Sequence, residues 1–305
     1  MTSTGFGGID VGGTKIEARL YSHTMDEEAR QRVAVSKGDY PLVIQAVADL
    51  VAWLRETGGA DLPVGIGLPG IIDPATGHAT TANLPATGRP ITQEIARRVG
   101  GKVHFANDCK LFALSEATGG AAAGARTVFG LIIGTGVGGG VVQDGRLVTG
   151  MSGLPGEVGH FGIPATLGLP VIRCGCGAEG CYETYLSGEG IARLAELETG
   201  ELVPAQQVFA RAWEGDPAMS RVTDTWLRLL TELLLTINLT IDPDVVVIGG
   251  GVSRVPGLVP QAQKAIDARV LRGARAPRIT IAEFGDASGA RGAALFANPK
   301  FRTPS

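Results

Sequence analysis

One local pattern occurs twice in this chain: a short apolar strand, a block of glycines, then a second strand. The first copy is GFGGIDVGG running into TKIEARLY, and the second is RTVFGLII followed by Gly134-Thr135-Gly136-Val137-Gly138-Gly139-Gly140 and VVQDGRLV. After each glycine block the apolar residues have the period of a strand, so both copies predict strand, turn, strand. That excludes a dinucleotide fold for the second block, although it contains the letters GxGxxG, because such a fold needs a helix directly after the glycines. Two copies of one phosphate-binding hairpin imply two lobes.

Length and spacing agree with this. At 305 residues the chain exceeds what one core usually organises. The short runs PVGIGLPG, KVHFA, DVVVIGG and RITIA alternate with helical stretches at 41–57, 109–118, 187–198, 218–240 and 257–271, which makes the class α/β. The expected small lobe is residues 1–107 and the large lobe 108–290. The closing GARGAALFA helix, in about 291–305, should pack back on the small lobe. Asp144-Gly145 predicts a tight hairpin turn.

Net charge is −3 with 27 Lys and Arg and no basic run. This argues against nucleic-acid or anionic-membrane partners. No leader pattern and no window of ~20 apolar residues occurs, so a cytoplasmic protein with small-molecule partners is expected. The 46 glycines cluster in blocks, as backbone held close to ligands would require.

The chemistry is concentrated in a few motifs. In Asp10-Val11-Gly12-Gly13-Thr14-Lys15 the glycines let backbone N–H groups face a phosphate, Thr14 and Lys15 add donors, and Asp10 can hold Mg²⁺ through water. Gly134, Thr135, Gly136, Gly138 and Gly139 supply a second clamp. Gly249-Gly250-Gly251 ends a strand where open α/β sheets place ligands, so Gly250 and Gly251 could cover an adenosine. Asn107-Asp108 stands between a strand and a helix. Either residue suits an N-cap, and Asp108 can also take the proton of an attacking hydroxyl. Finally, Cys174, Cys176 and Cys181 fall within eight residues with His160 upstream, the pattern of a closed structural Cys₃His zinc site. Glu157 and Glu183 flank these ligands. They are surface carboxylates, partners of His160, or, with a polyol substrate, acceptors for vicinal hydroxyls.

Together DVGGTK, IIGTGVGGG, Asn107-Asp108, GEVGH and CGCGAEGCYETYLSG resemble the ROK family of sugar kinases and repressors over nearly the whole chain, through VVIGGGVS to GDASGARGAALF. The resemblance implies an actin/hexokinase-like (RNase H-like) two-lobed ATPase fold with a structural zinc site, closing on sugar and ATP, and a homodimer. It implies Asp108 as catalytic base, with Gly70, Asn83, Asn107, Glu157, His160 and Glu183 as sugar contacts. His160, Cys174, Cys176 and Cys181 become the zinc ligands, and the 12–15 and 134–140 loops hold the nucleotide phosphates with Mg²⁺. The stretch from Ala82-Asn83-Leu84-Pro85-Ala86 through Gly88-Arg89-Pro90 is similar to that of the family's N-acetylglucosamine kinases, which implies transfer to O6 of that sugar. GAAAGARTVFGLIIGTG is closer to fructokinases and mannokinases, so glucose, fructose and mannose stay open as acceptors. A sugar-sensing regulator is the other class; it would need a basic helix-turn-helix module, and here the first strand begins within about five residues of Met1.

Overall fold

The computed structural model describes residues 5–35, 38–81 and 84–302. In chain order it runs β1 (Gly5–Val11), β2 (Lys15–Ser22), β3 (Glu27–Ala34), α1 (Tyr40–Gly58), β4 (Val64–Leu68), β5 (Ile71–Ile72), β6 (Ala79–Thr80), α2 (Ile91–Val99), β7 (Val103–Asn107) and α3 (Asp108–Ala117). It continues with β8 (Thr127–Ile133), β9 (Val137–Gln143), β10 (Arg146–Leu147), α4 (Glu183–Leu186), α5 (Gly188–Thr199), α6 (Ala205–Trp213), α7 (Pro217–Ile241), β11 (Val245–Gly249), α8 (Leu258–Asp267), β12 (Arg278–Ile281) and α9 (Ser288–Ala297). Both predicted hairpins form: β1 pairs antiparallel with β2 across the first glycine turn, and β8 is followed by a strand, not a helix.

Two compact units result: Met1–Gly124 with Gly140–Pro155 and Phe284–Ser305, and Ala125–Gly139 with Gly156–Glu283. The sequence places a break at residue 107, but α3 stays with the first unit. The cause is backbone packing: a Cβ added to Gly292 of α9 would lie 1.9 Å from the carbonyl oxygen of Leu111 in α3, a distance only glycine permits.

In the first unit the sheet order is β3-β2-β1-β4-β7, with β1, β4 and β7 parallel. α1 is capped by Asp39, whose carboxylate accepts from the Leu42 amide at 3.1 Å, and ends at Gly59, where φ is +106°. Its apolar stripe, Val43, Val47, Leu50, Val51 and Leu54, is buried in one cluster with Ile9, Ile16 and Ile66 of the sheet. Burying such side chains contributes roughly 1.5–3 kcal/mol each before the entropy of ordering them is subtracted. The other sheet face takes α9. A Cβ on Gly8 or Gly65 would lie 1.9 or 1.8 Å from a carbonyl oxygen of α9, so these glycines serve helix packing and not a ligand.

In the second unit β8, β11 and β12 run parallel. The strand order of the second sheet is β10-β9-β8-β11-β12, and the division between units falls within β9. α7, 25 residues long, is capped by Asp216, which accepts from the Ala218 and Met219 amides, and buries Val222, Trp226, Leu230, Leu233 and Ile237. Asp144 and Gly145 both have positive φ, +50° and +74°, and form the expected tight turn between β9 and β10. Among the described residues no helix is long and apolar enough to cross a membrane.

Candidate active site

The first turn of α3 carries Asp108. β7 ends at Asn107, and Asn107 rather than Asp108 is the cap: its Oδ1 accepts from the Lys110 amide at 3.1 Å. The Asn107 amide group donates to the carbonyl of Gly70 and to Oδ1 of Asp108, both at 3.0 Å. The Cys109 amide donates to the same Oδ1 at 2.8 Å. Asp108 is thus held from two directions at one oxygen. Burial pushes its carboxyl above the usual range, while the hydrogen bonds from Cys109 and Asn107 oppose the shift. Gly70 has φ of +88°, and a Cβ there would lie 2.2 Å from the carbonyl oxygen of Thr80, so the residue that receives Asn107 must be glycine.

Asp10 belongs to the same unit. It lies one residue before the end of β1, opposite Glu17 of β2, and its carboxylate meets the first turn of α9, where a Cβ on Gly289 would lie 2.7 Å from Asp10 Cγ. Burial, then the charges of Asp108 and Glu17, push the Asp10 carboxyl up to about 7. Glu17 itself is held below the usual range: against the cost of burial it accepts from Arg32 and Arg19, each at 2.6 Å. In this buried corner the charges of Asp108 and Glu17 raise Asp10 more than Lys15 and Arg19 lower it, and its oxygen donors fit a hard divalent cation such as Mg²⁺.

The second unit holds the cysteines. One ligand atom each from His160, Cys174, Cys176 and Cys181 lies within 4.8 Å of all the others. Cys176 Sγ is 3.7 Å from Cys181 Sγ, and Cys174 Sγ is 3.7 Å from Nδ1 of His160. A tetrahedron of thiolates about zinc has edges of about 3.8 Å, so the spacing fits a metal centre and is far too long for a disulfide. The loop between the ligands is short hairpin backbone, with the Cys174 amide on the Ala178 carbonyl and the Gly180 amide on Ile172, both at 2.8 Å.

This motif also carries the second glycine block. Glu183 Oε2 accepts from the Val137 amide at 3.0 Å, and a Cβ on Gly136 would lie 2.7 Å from that oxygen. Gly159 of GEVGH packs on the Val137 carbonyl, where a Cβ would come within 2.0 Å. Gly250, with φ of +83°, packs equally closely on the carbonyl of Ile133, at 2.4 Å, and so brings the third glycine block beside the second. Next to Gly251 a cavity of about 550 Å³ opens between α6, α7 and α8, lined by Phe209, Trp213, Trp226, Arg254 and Gln261 among others.

A family model for the ROK family matches residues 6–300. The chain belongs to the ROK family. It is 38% identical over 295 residues to an N-acetyl-D-glucosamine kinase of Escherichia coli O157:H7, covering 94% of this chain and 97% of that one. It is 36% identical over 293 residues to an N-acetylgalactosamine kinase of Shewanella sp. (strain ANA-3), covering 94% and 95%. The solved ROK hexokinase of Thermus thermophilus superposes with a TM-score of 0.85 at 32% identity, covering 95% and 97%. That likeness supports the two-sheet, hexokinase-like fold of this ROK protein.

Of the residues singled out in sequence, Asp10, Gly70, Asn107 and Asp108 come together in the first unit. The glycines of 134–139, Gly250, Gly251, His160, Glu183 and the three cysteines gather in the second. Asn83 lies outside the described residues. Sequence reasoning missed two features of this ROK site. Glu183 has partners at both oxygens, the Val137 amide and, at 3.8 Å, Cys174 Sγ. Lys110, two residues after Asp108, is buried; its sequence signal is a cation in the first turn of a helix, where the dipole disfavours one.

Proposed function

We propose that this chain is an ATP-dependent kinase that phosphorylates N-acetyl-D-glucosamine at O6. The observation that carries the reading is Asp108: a carboxylate at the carboxyl end of a strand, fixed at Oδ1 by Cys109 and Asn107 and raised by burial, which suits a general base at neutral pH. In the reaction O6 of the sugar attacks the γ-phosphorus. The new O–P bond forms as the bond to the β-phosphate oxygen breaks, and the hydroxyl proton passes to Asp108.

The hairpin with Asp10, Gly12, Gly13, Thr14 and Lys15, and the loop with Gly134, Thr135, Gly136, Gly138 and Gly139, are assigned to the nucleotide phosphates. The cavity beside Gly250 and Gly251, with three aromatic walls, suits the base. Asp10 would hold Mg²⁺, which when bound neutralises phosphate charge. Gly70, Asn83, Asn107, Glu157, His160 and Glu183 are assigned to the acceptor. Both N–H groups of Asn107 are engaged and its Oδ1 already accepts from the Lys110 amide, so only the second lone pair of Oδ1 is left for a sugar hydroxyl; Glu183 retains lone pairs beyond those used by the fold. His160, Cys174, Cys176 and Cys181 would hold a structural zinc ion. With the metal on Nδ1, the proton of His160 is confined to Nε2, which becomes a donor for a sugar oxygen. A cytoplasmic homodimer completes the reading, on the family resemblance.

Two chemical facts support the acceptor. The E. coli and Shewanella relatives are both named for hexoses with an acetamido group at C2. Gly88, in the implied acceptor loop, has nothing within 4 Å of where a Cβ would stand and so leaves room for that group. Losing it leaves an amide partner unfilled, which costs about 1–3 kcal/mol, a preference of roughly 10- to 150-fold. Competition between equal N-acetylglucosamine, N-acetylgalactosamine, glucose, mannose and fructose tests this. N-acetylglucosamine should show the highest kcat/KM; another sugar winning tenfold overturns the acceptor and leaves the kinase reading intact.

A further inference from the structure

Lys110 breaks two rules at once. It sits in the first turn of α3, where the positive end of the helix dipole repels a cation, and it is only 4% exposed. A buried cation at the wrong end of a helix persists when a specific partner offsets both costs. Here the Lys110 ammonium donates to the carbonyl of Gly153.

Gly153 lies in a stretch with little regular structure to hold it. Gly150, Gly153 and Gly156 all have positive φ, +66°, +71° and +104°. Such a segment is entropically costly to order. Two contacts define its course: a Cβ on Gly153 would lie 2.7 Å from the carbonyl oxygen of Ile72, and one on Gly150 would lie 2.6 Å from the Pro155 ring. The Lys110 backbone is itself locked, since a Cβ on Gly140 would lie 2.6 Å from its Cα. Two segments therefore meet at the turn that carries Asp108, 70–72 through the bond from Asn107 to Gly70 and 150–155 through the Lys110 ammonium, and they touch each other where Gly153 packs on Ile72.

The geometry points to Lys110 as a positioning residue, which ties the 150–155 segment to the Asp108 turn and so fixes the approach to Gly156-Glu157, setting acceptor affinity and not proton transfer. The inference rests on the kinase reading for its second half only. The tie itself is a property of the fold.

The test uses the full chain with Lys110→Met, which keeps the apolar stem and removes the charge, and Lys110→Arg as the rescue. Amide hydrogen exchange at 150–155 should quicken in Lys110→Met on the order of 10-fold or more and slow again in Lys110→Arg. The KM for N-acetylglucosamine should rise about tenfold, below the ~10²-fold of a group misplaced at the reacting atoms, with kcat and the KM for ATP within about threefold. Unchanged exchange overturns the tie. A fall in kcat at constant acceptor KM overturns the acceptor role, because Lys110 would then act on Asp108. If wild-type protein phosphorylates no sugar, the kinase reading fails while the exchange result still decides the tie. Should Lys110→Met not fold, Lys110→Gln carries the same measurements.

Discussion

The first turn of α3 and the cysteine motif are the two places where this molecule holds chemically active side chains, and they are held by different means. At α3 every restraint comes from the chain itself: the Asn107 cap, the Gly70 carbonyl, the Cys109 amide and the Lys110 ammonium. At the motif the four ligand atoms converge at the ends of short loops, from 160 to 181, with turn hydrogen bonds between them. Four ligand atoms within 4.8 Å of one another suit a single metal ion among them. If the first region is organised by folding alone and the second, as proposed, by folding plus a zinc ion, the two should fail differently.

The sharpest separation should come from Asp108→Asn. The turn keeps its geometry, because an amide oxygen still accepts from Cys109, but the proton acceptor is gone. We expect kcat to fall by roughly 10²- to 10⁴-fold with acceptor binding retained, measured by steady-state kinetics and calorimetry. Near wild-type turnover would reduce Asp108 to a structural residue.

Removing the ion should do the reverse. Chelation, or Cys176→Ala, should loosen 156–183 and abolish sugar binding together with the zinc signal in metal analysis, since metal affinity and loop folding are coupled. The α3 turn should keep its hydrogen-exchange protection. Active, well-folded enzyme free of zinc would erase the contrast between the regions.

A smaller effect is expected from Asn107→Asp. The cap acceptor survives, but the amide donors to Gly70 and Asp108 are lost and a second carboxylate faces Asp108. Full loss of an N-cap costs about 0.5–2 kcal/mol, so Asn107→Ala should lower Tm by several degrees. Asn107→Asp should lower kcat more than Tm. Equal losses would mean that Asn107 only caps.

The mildest prediction concerns pH. If Asp108 is the base, it works as a carboxylate that burial raises, so the acid limb of kcat should lie above the ordinary carboxylate range, with activity lost as pH falls through it. Stability should run the other way at Asp10. Its folded-state value of about 7 exceeds the unfolded 3.8, so between the two the folded protein binds more protons and the contribution of this group declines as pH rises. Without divalent cations, thermal melts of Asp10→Asn and wild type should therefore converge toward pH 5 and separate toward pH 8, by on the order of a few kcal/mol. A constant offset would place the buried charge elsewhere.

Much of this was readable before the fold was. Both glycine hairpins, the long helices α1 and α7, the Asp144-Gly145 turn and the cysteine cluster rest on local rules of period, turn chemistry and ligand type. β3 was not readable, because Glu27–Ala34 is largely exposed and its sequence EEARQRVA has no buried stripe. α2 escaped for a related reason: only Ile91 and Ile95 are buried in it. Among the glycines, sequence suggests ligand contact throughout, yet Gly8, Gly65 and Gly292 exist for helices pressed against backbone.

What the sequence determined by itself, then, is the inventory of chemical groups and the local turns that present them, because strand period, capping and ligand spacing act over a few residues. Only the tertiary structure decided which group meets which. It made Asn107 and not Asp108 the cap, gave Glu183 to the Val137 amide, and joined α3 to the first unit through α9. It also gave Lys110 a carbonyl 43 positions away. Apart from the cap, whose partner is the Lys110 amide three residues on, those contacts span tens to nearly two hundred residues, and their energy comes from burial and close approach, which no local pattern encodes.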